Sequence, residues 1–230
     1  MTWIDSNLDA STKESFNKAI QFFATNDDVN NHNKHCLISL NNLVARSVAT
    51  RSNTNHTIEA DEENLDNELL LAVGARVMLT SNLWTNAGLV NGALGVVQDI
   101  VYNPGTFPPN PPTYVLVKFD NYVGVPWDEL FTHTVPIIPI ERGNNRQIPL
   151  WLAWGLKIHK SHGLTLEKET INIGRTKQQG LTFTAISWVK SLDGLRFQPP
   201  FPYDRYEKMA KCAGVSKRKE EEVRLRLNTK

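Results

Sequence analysis

WGLKIHKSHGLTLEKETINIG (residues 154–174) and GLTFTAISWVKSLDGL (residues 180–195) are two apolar, glycine-bearing stretches that predict an α/β fold. Apolar residues recur there first at helical spacing and then in a short run, which is how helices and buried strands are recognised. The predicted elements are a helix marked by Trp151, Trp154 and Ile158, a strand over residues 170–173 and a helix over residues 181–189.

The same region carries an excess of positive charge. Between residues 154 and 190 the only acids are Glu167 and Glu169. The same stretch contains six basic residues and two histidines: Lys157, Lys160, Lys168, Arg175, Lys177, Lys190, His159 and His162. Such a cluster can neutralise phosphates, although a solvated surface of mixed charge is an equally simple interpretation. The whole chain has a net charge of only +1, because an acidic segment over residues 1–73 offsets a basic remainder.

The two stretches resemble two motor motifs of superfamily-one DNA helicases of the PIF type, especially the branch carried by Helitron transposons. The family patterns read roughly A-W-A-x-x-I-H-K-S-Q-G-L-T-L and G-[LV]-[ST]-[YF]-x-A-[IL]-S-R-V-[KR]. The chain departs from them at two positions, since His162 replaces a Gln and Trp188 replaces the motor Arg.

Two upstream stretches extend the resemblance to about residues 19–208. FFATNDDVNNHN (residues 22–33) is similar to the opening of the second motor domain, and GARVMLTSNLWTNAGLVNGALGVVQDI (residues 74–100) to the β insertion after it. The resemblance implies a RecA-like P-loop NTPase second motor domain, lacking the P-loop itself, with an inserted small SH3-like β-barrel. The implied division is motor domain with an acidic loop (1–73), insertion (74–148), motor domain (149–208) and charged helical tail (209–230).

Local patterns refine the first segment. STKE (residues 11–14) has capping-box spacing and predicts a helix start at Ser11. The resemblance instead implies a buried strand over residues 20–24, after which Asn26 would cap a helix with acids in its first turn. The residues expected to face the core of that helix are Val29, Cys36, Leu37 and Leu40.

From residue 74 the apolar period changes to two, which predicts short strands. The alternating positions are Val77, Leu79, Val115, Val117 and Phe119. Asn91 and Gly92 predict a turn, and the proline-rich residues 103–112 predict a loop between strands. The pattern fits the implied five-strand barrel and equally any antiparallel β subdomain. Leu195 and Phe197 predict a last strand, residues 50–68 a polar loop, and residues 217–227 a charged helix.

The residues that bind ATP in such helicases are missing. The sequence contains no GxxxxGK[ST] phosphate loop. Residues 61–63 (DEE), like Asp128 and Glu129, lack a preceding apolar strand and are interpreted as loop charge. We therefore expect no cofactor in this chain, with ATP and Mg bound only together with a first lobe.

The resemblance assigns roles to single residues. It implies that His159, Lys160, Ser161 and Thr165 contact the backbone of single-stranded DNA, while His162, Gly163, Ser187 and Lys190 couple this contact to the nucleotide. Hydroxyls and a cation bind phosphate oxygens without reading sequence, so binding would be largely sequence-independent. The alternative is that Ser161 and Thr165 only cap a helix end.

Position 188 bears on catalysis. In the family, an Arg there reaches the γ-phosphate and stabilises the transition state, a role worth about 10³ to 10⁵ in rate. Trp188 supplies no such charge, and on a helix Lys190 would point about 200° away. No intact catalytic residue is expected.

Other residues carry weaker signals. His32, His35 and Cys36, or His159 and His162, have helical spacing but form no complete metal set, so no metal site is predicted. Trp84 and Trp127 could stack on bases or pack at the barrel rim. Cys36 and Cys212 are predicted to be reduced thiols, and the lack of a signal or membrane segment predicts an intracellular protein, nuclear rather than mitochondrial.

The sequence thus predicts a fragment of an ATP-dependent DNA helicase that is inactive alone, with single-stranded DNA and a first helicase lobe as partners. Two alternatives stay open: a non-catalytic single-stranded-DNA-binding module, and a decayed transposon remnant without function.

Overall fold

The computed structural model describes residues 10–17, 19–51, 67–126, 133–143, 145–160, 166–174, 181–199 and 224. The helices are α1 (Ala10–Ser15), α2 (Asn26–Ser39) and α3 (Leu181–Ile186). The strands are β1 (Ile20–Phe23), β2 (Ala45–Val48), β3 (Thr50–Arg51), β4 (Glu68–Leu71), β5 (Arg76–Leu79), β6 (Leu94–Val101), β7 (Tyr114–Phe119), β8 (Thr134–Ile137), β9 (Ile140–Arg142), β10 (Asn145–Gln147), β11 (Leu150–Leu152), β12 (Gly155–Lys157), β13 (Glu169–Asn172) and β14 (Leu195–Phe197).

The chain forms two compact units. One contains residues 1–24 and 165–230, and the other contains residues 25–164.

Three parallel strands lie side by side in the first unit, in the order β1, β13, β14. Ile20 is level with Glu169, which is level with Leu195. Parallel strands are usually buried on both faces, and every residue of β1 and β14 except Gln21 is buried. Phe22 and Ile171 are completely buried. The α/β character predicted from the sequence is therefore present.

An antiparallel five-strand sheet in the order β11-β5-β6-β7-β8 dominates the second unit. The predicted alternation is confirmed in β7, where Val115, Val117 and Phe119 are buried and their neighbours are more exposed. In β5 it is wrong, because Met78 is buried as well as Val77 and Leu79. A second sheet contains β3, β10 and β9, and β2 pairs with β4. One strand of the five-strand sheet, β11, comes from beyond the 74–148 boundary.

Turn residues are where the sequence predicts them. Asn91 and Gly92 form the turn between β5 and β6, and Gly92 has a φ of 95°, a left-handed conformation that favours glycine. The proline-rich residues 103–112 connect β6 to β7 outside any strand. These predictions are confirmed.

The helix after β1 is also confirmed, but its cap is different. Thr25, and not Asn26, is the N-cap, because its extended backbone lets its hydroxyl oxygen accept a hydrogen bond from the Asp28 amide at 3.1 Å. Asp27 and Asp28 lie in the first turn, as predicted. Leu37 is buried, while the three other predicted core positions of α2 are only half-buried.

The helix predicted from Trp151, Trp154 and Ile158 is wrong. The segment forms β11 and β12, followed by a 3-10 helix over Ile158–Lys160. Leu150 and Leu152 lie level with Leu79 and Val77 of β5, so the tertiary ladder overrides the helical spacing.

The remaining predictions differ in outcome. The short strand near residue 170 and the last strand are confirmed as β13 and β14. Ser11 is not an N-cap, because α1 already begins at Ala10. The polar loop predicted over residues 50–68 is wrong at its ends, because Thr50 and Arg51 form β3 and Glu68 begins β4. Residues 52–66 of this loop and, apart from Arg224, the charged tail lie outside the described residues. Within the described part of the chain, no helix has the length and apolarity needed to span a membrane.

Candidate nucleic-acid interface

Within the first motif, β12 ends at Lys157. The backbone turns directly into the 3-10 helix Ile158–Lys160, which places His159 at the surface after the buried Ile158. Lys160 ends this helix. Ser161, His162, Gly163 and Thr165 lie outside the described residues, so their roles stay predictions.

A buried amide fixes the start of this motif. The Asn33 side chain donates to the Leu152 carbonyl at 3.2 Å and to the Gly155 carbonyl at 2.9 Å, and it accepts from the Gly155 amide at 2.7 Å. These bonds join α2 to both ends of the bend between β11 and β12. Asn33 was not predicted as a site residue. The one sign in the sequence is that it lies one helical turn before Leu37 and so on the same buried face of α2.

The end of the first motif is hydrogen-bonded to the second motif within the first unit. The Leu166 amide donates to the Trp188 carbonyl at 2.9 Å, and the Lys190 amide donates to the Leu166 carbonyl at 3.0 Å. The Lys190 ammonium also forms an exposed ion pair with Glu167. These bonds connect the two segments directly.

Gly194 follows the second motif and packs tightly against Glu167, the residue after the end of the first motif. A Cβ atom at this position would lie 2.0 Å from the Glu167 carbonyl oxygen and 2.8 Å from a methyl group of Val189. Only glycine fits here without movement of the backbone.

Trp188 lies in the apolar interior of the first unit. Its side chain is 6% exposed, and its ring packs against Phe22 of β1 with centroids 4.9 Å apart and planes tilted by 51°. Tilted aromatic pairs are favourable, and they add to the stabilisation from burial. The residue at the motor-arginine position thus supports the parallel strands.

The two predicted coupling residues beside Trp188 lie beyond α3. That helix ends at Ile186, so the prediction of a helix through residue 189 is wrong at its end, and Lys190 lies after a turn. The Ser187 hydroxyl donates to the Thr184 carbonyl at 2.7 Å. Both residues are exposed at the surface of the first unit, and their coupling role stays a prediction.

Glu169 is an acid with no predicted role beyond its charge. It begins β13 and is completely buried, and among the described residues neither of its carboxylate oxygens has a hydrogen-bond partner. Burial raises the pKa of Glu169 to about 7, because desolvation disfavours the charged form. The one sign of this burial in the sequence is that Glu169 comes directly before the short strand predicted over residues 170–173.

Among the described residues, the histidines, the cysteine and the tryptophan with weaker sequence signals form no further site that the structure supports. Cys36 Sγ lies 3.6 Å from His32 Nε2, and no group of three His, Cys, Asp or Glu among the described residues could hold a metal ion. Burial, and then the neighbouring His35, lower the pKa of His32, while burial raises the pKa of the Cys36 thiol. The Trp84 side chain is 48% exposed and therefore accessible. Its stacking on bases stays a prediction. Trp127 lies outside the described residues.

Comparison with known proteins identifies the relatives. Residues 63–100 match the family model described as "DNA helicase Pif1, 2B domain". The ATP-dependent DNA helicase PIF1 of Danio rerio is 34% identical over 181 residues, which are 74% of this chain and 26% of that protein. The chain therefore spans about a quarter of the length of this relative.

Solved structures give the same result for the fold. The Pif1 helicase from Candida albicans superposes with a TM-score of 0.64 at 25% identity, over 94% of this chain and 55% of that one. Bacteroides Pif1 bound to ssDNA superposes with a TM-score of 0.55 at 22% identity, over 87% of this chain and 46% of that one. The resemblance predicted from the motifs is confirmed.

Proposed function

Because this chain is a relative of the Pif1 DNA helicases, we propose that it forms the second motor lobe of an ATP-dependent DNA helicase. The β sheets of residues 74–148 would be the SH3-like insertion, which the match to the Pif1 2B domain supports in part. In this proposal, the lobe binds single-stranded DNA and relays the nucleotide state of a first lobe.

One observation carries the proposal. The two motor motifs are joined by main-chain hydrogen bonds from Leu166 to Trp188 and Lys190. A relay between DNA and nucleotide requires such a mechanical connection, because a change at one motif must move the other.

Binding to single-stranded DNA is supported by the residues and by a relative. The exposed His159 and its neighbour Lys160 follow a fixed strand end, and their side-chain types suit phosphate contacts. A solved structure shows Bacteroides Pif1 bound to ssDNA. Since few cations are involved, binding would be weak, salt-sensitive and nearly independent of sequence.

Fluorescence anisotropy with a labelled oligonucleotide tests this proposal. Lys160→Ala should weaken binding and make the plot of log affinity against log salt shallower, by about 0.7 for one lost phosphate contact on a single strand. Lys118→Ala is the matched control, because Lys118 is an exposed lysine on β7, outside the motifs. Equal affinities for both variants and the unchanged protein would contradict the assigned DNA contacts.

The burial of Trp188 favours a second candidate, a non-catalytic module that binds single-stranded DNA. A chimera with the first lobe of an active relative separates the two possibilities. The helicase proposal expects measurable DNA-stimulated ATP hydrolysis in the folded chimera, whereas the module expects DNA binding without hydrolysis.

A further inference from the structure

A cavity of about 520 Å³ lies within the second unit, between α2, β4 and the β11–β12 segment. None of the predicted site residues that the structure describes lines it. Its floor includes Leu156 and Lys157 of β12, the strand that leads directly into His159 and Lys160. The cavity is therefore continuous in the chain with the proposed DNA contacts.

The helix wall of the cavity is polar. Asn26, Asn30 and Lys34 recur at spacings of four along α2, lie on one face and are exposed. Their amide and ammonium groups are therefore accessible to a ligand in the cavity. The Asn33 bonds hold this wall against the β11–β12 bend, so the amides are presented from a fixed surface.

The opposite wall provides apolar surface and a second cation. Leu156 is buried, Trp151 and Lys157 are half-buried, and all three line the cavity. One acid, Glu68, also lines it, but the carboxylate is bonded to Arg46 at 2.7 Å. Among the described residues, the charged groups that line the cavity are thus two lysines and one glutamate.

Amide side chains, lysines and an indole together match one class of ligand. Asparagine can pair its donor and acceptor with the edge of a base, aromatic and aliphatic side chains pack on bases and sugars, and lysine binds phosphate. The volume is within the usual range for small-molecule sites.

We infer that this cavity binds a nucleoside phosphate unit, with Asn26 and Asn30 at the base and Lys34 and Lys157 at the phosphate. As part of a DNA strand, the unit would extend the proposed binding site beyond His159 and Lys160, and to this extent the inference rests on the proposed function. A free mononucleotide has the same chemistry and is the other source.

Two adjacent asparagines supply a matched test. Asn30 lines the cavity, while Asn31 on the same helix is exposed and does not line it. Asn30→Ala and Lys34→Gln should each weaken binding of a single-stranded oligonucleotide, and the double variant should do so by about tenfold or more, whereas Asn31→Ala should have no effect. In a second measurement, dAMP is titrated into the ¹⁵N-labelled chain, and shifts should concentrate on the cavity residues.

The outcomes are distinct. Weaker oligonucleotide binding in the cavity variants supports the site with a DNA strand as its source. Shifts with dAMP but unchanged oligonucleotide binding support the site with a free nucleotide as its source, even if the chain binds no DNA and the proposed function fails. Normal oligonucleotide binding in every cavity variant, with no dAMP shift in the cavity, overturns the inference and leaves the proposed function intact.

Discussion

A large apolar ring occupies position 188, where the PIF-type pattern has an arginine. In the structure, the ring is buried against Phe22, so the substitution is more than the loss of a charge. An arginine introduced here would either enter an apolar interior or leave a void beside Phe22. Position 188 thus contributes to the stability of the first unit.

We predict that Trp188→Arg lowers the free energy of unfolding by about 3–5 kcal/mol, the range for losing a large buried aromatic. Trp188→Phe should lose less, because it keeps an aromatic partner for Phe22. Urea denaturation followed by circular dichroism measures both. Wild-type stability in Trp188→Arg would show that the ring does not support the core.

Glu169 makes stability depend on pH. Burial raises its pKa from 4.5 to about 7, so the folded state binds more protons than the unfolded state between these values. Stability should therefore be highest below pH 4.5 as far as this group is concerned, and fall by up to about 3 kcal/mol as pH rises to 7. Above pH 7, the buried carboxylate is ionised in the folded state, and the full desolvation penalty lowers the stability.

Glu169→Gln should remove this pH dependence and stabilise the chain at pH 8. Melting temperatures of the variant and the unchanged protein at pH 5 and pH 8 test the prediction. Glu167→Gln is the control, because that exposed carboxylate contributes little to stability. An equal pH effect in all three proteins would exclude Glu169 as the source.

At the scale of elements, sequence patterns predict those segments whose own residues determine the structure. The alternation in β7 and the turn at Asn91 and Gly92 are local signals, and they are confirmed. Residues 150–158 show the limit. Their apolar spacing fits a helix, but pairing with β5, seventy residues earlier in the chain, makes the first part a strand.

The candidate site was predictable to the same extent. Motif residues such as His159 and Trp188 could be found by resemblance, yet the burial of Trp188 depends on Phe22, more than 160 residues away. Asn33 and the cavity wall of α2 were not predicted, because a polar residue on a helix gives no local sign of what it faces.

We predict that Asn33→Ala separates α2 from the β11–β12 bend. The change leaves the buried Gly155 amide and two carbonyls without their partner, which should lower the free energy of unfolding by about 2–4 kcal/mol. Asn31→Ala on the same helix should change stability by no more than about 0.5 kcal/mol. Thermal unfolding compares the two, and equal losses would contradict the role of Asn33.

At the scale of the molecule, the first unit is assembled from both ends of the chain. β1 and β13 are parallel neighbours although the second unit lies between them in sequence. Parallel neighbours require a long crossover connection, and here that connection includes the β sheets of the second unit. The motor fold is therefore complete only when both chain segments are present.

The motor chemistry requires more than this fold. Hydrolysis needs a phosphate-cradling loop with a lysine and a magnesium-binding hydroxyl, and the sequence has no GxxxxGK[ST] pattern. We therefore predict that the purified chain of 230 residues shows no ATP hydrolysis above a protein-free control, with or without single-stranded DNA. An intact Pif1 helicase, measured in the same phosphate-release assay, serves as the positive control. Hydrolysis that co-elutes with the folded chain, rises with DNA and disappears when magnesium is removed would mean that this lobe contains a nucleotide site of its own.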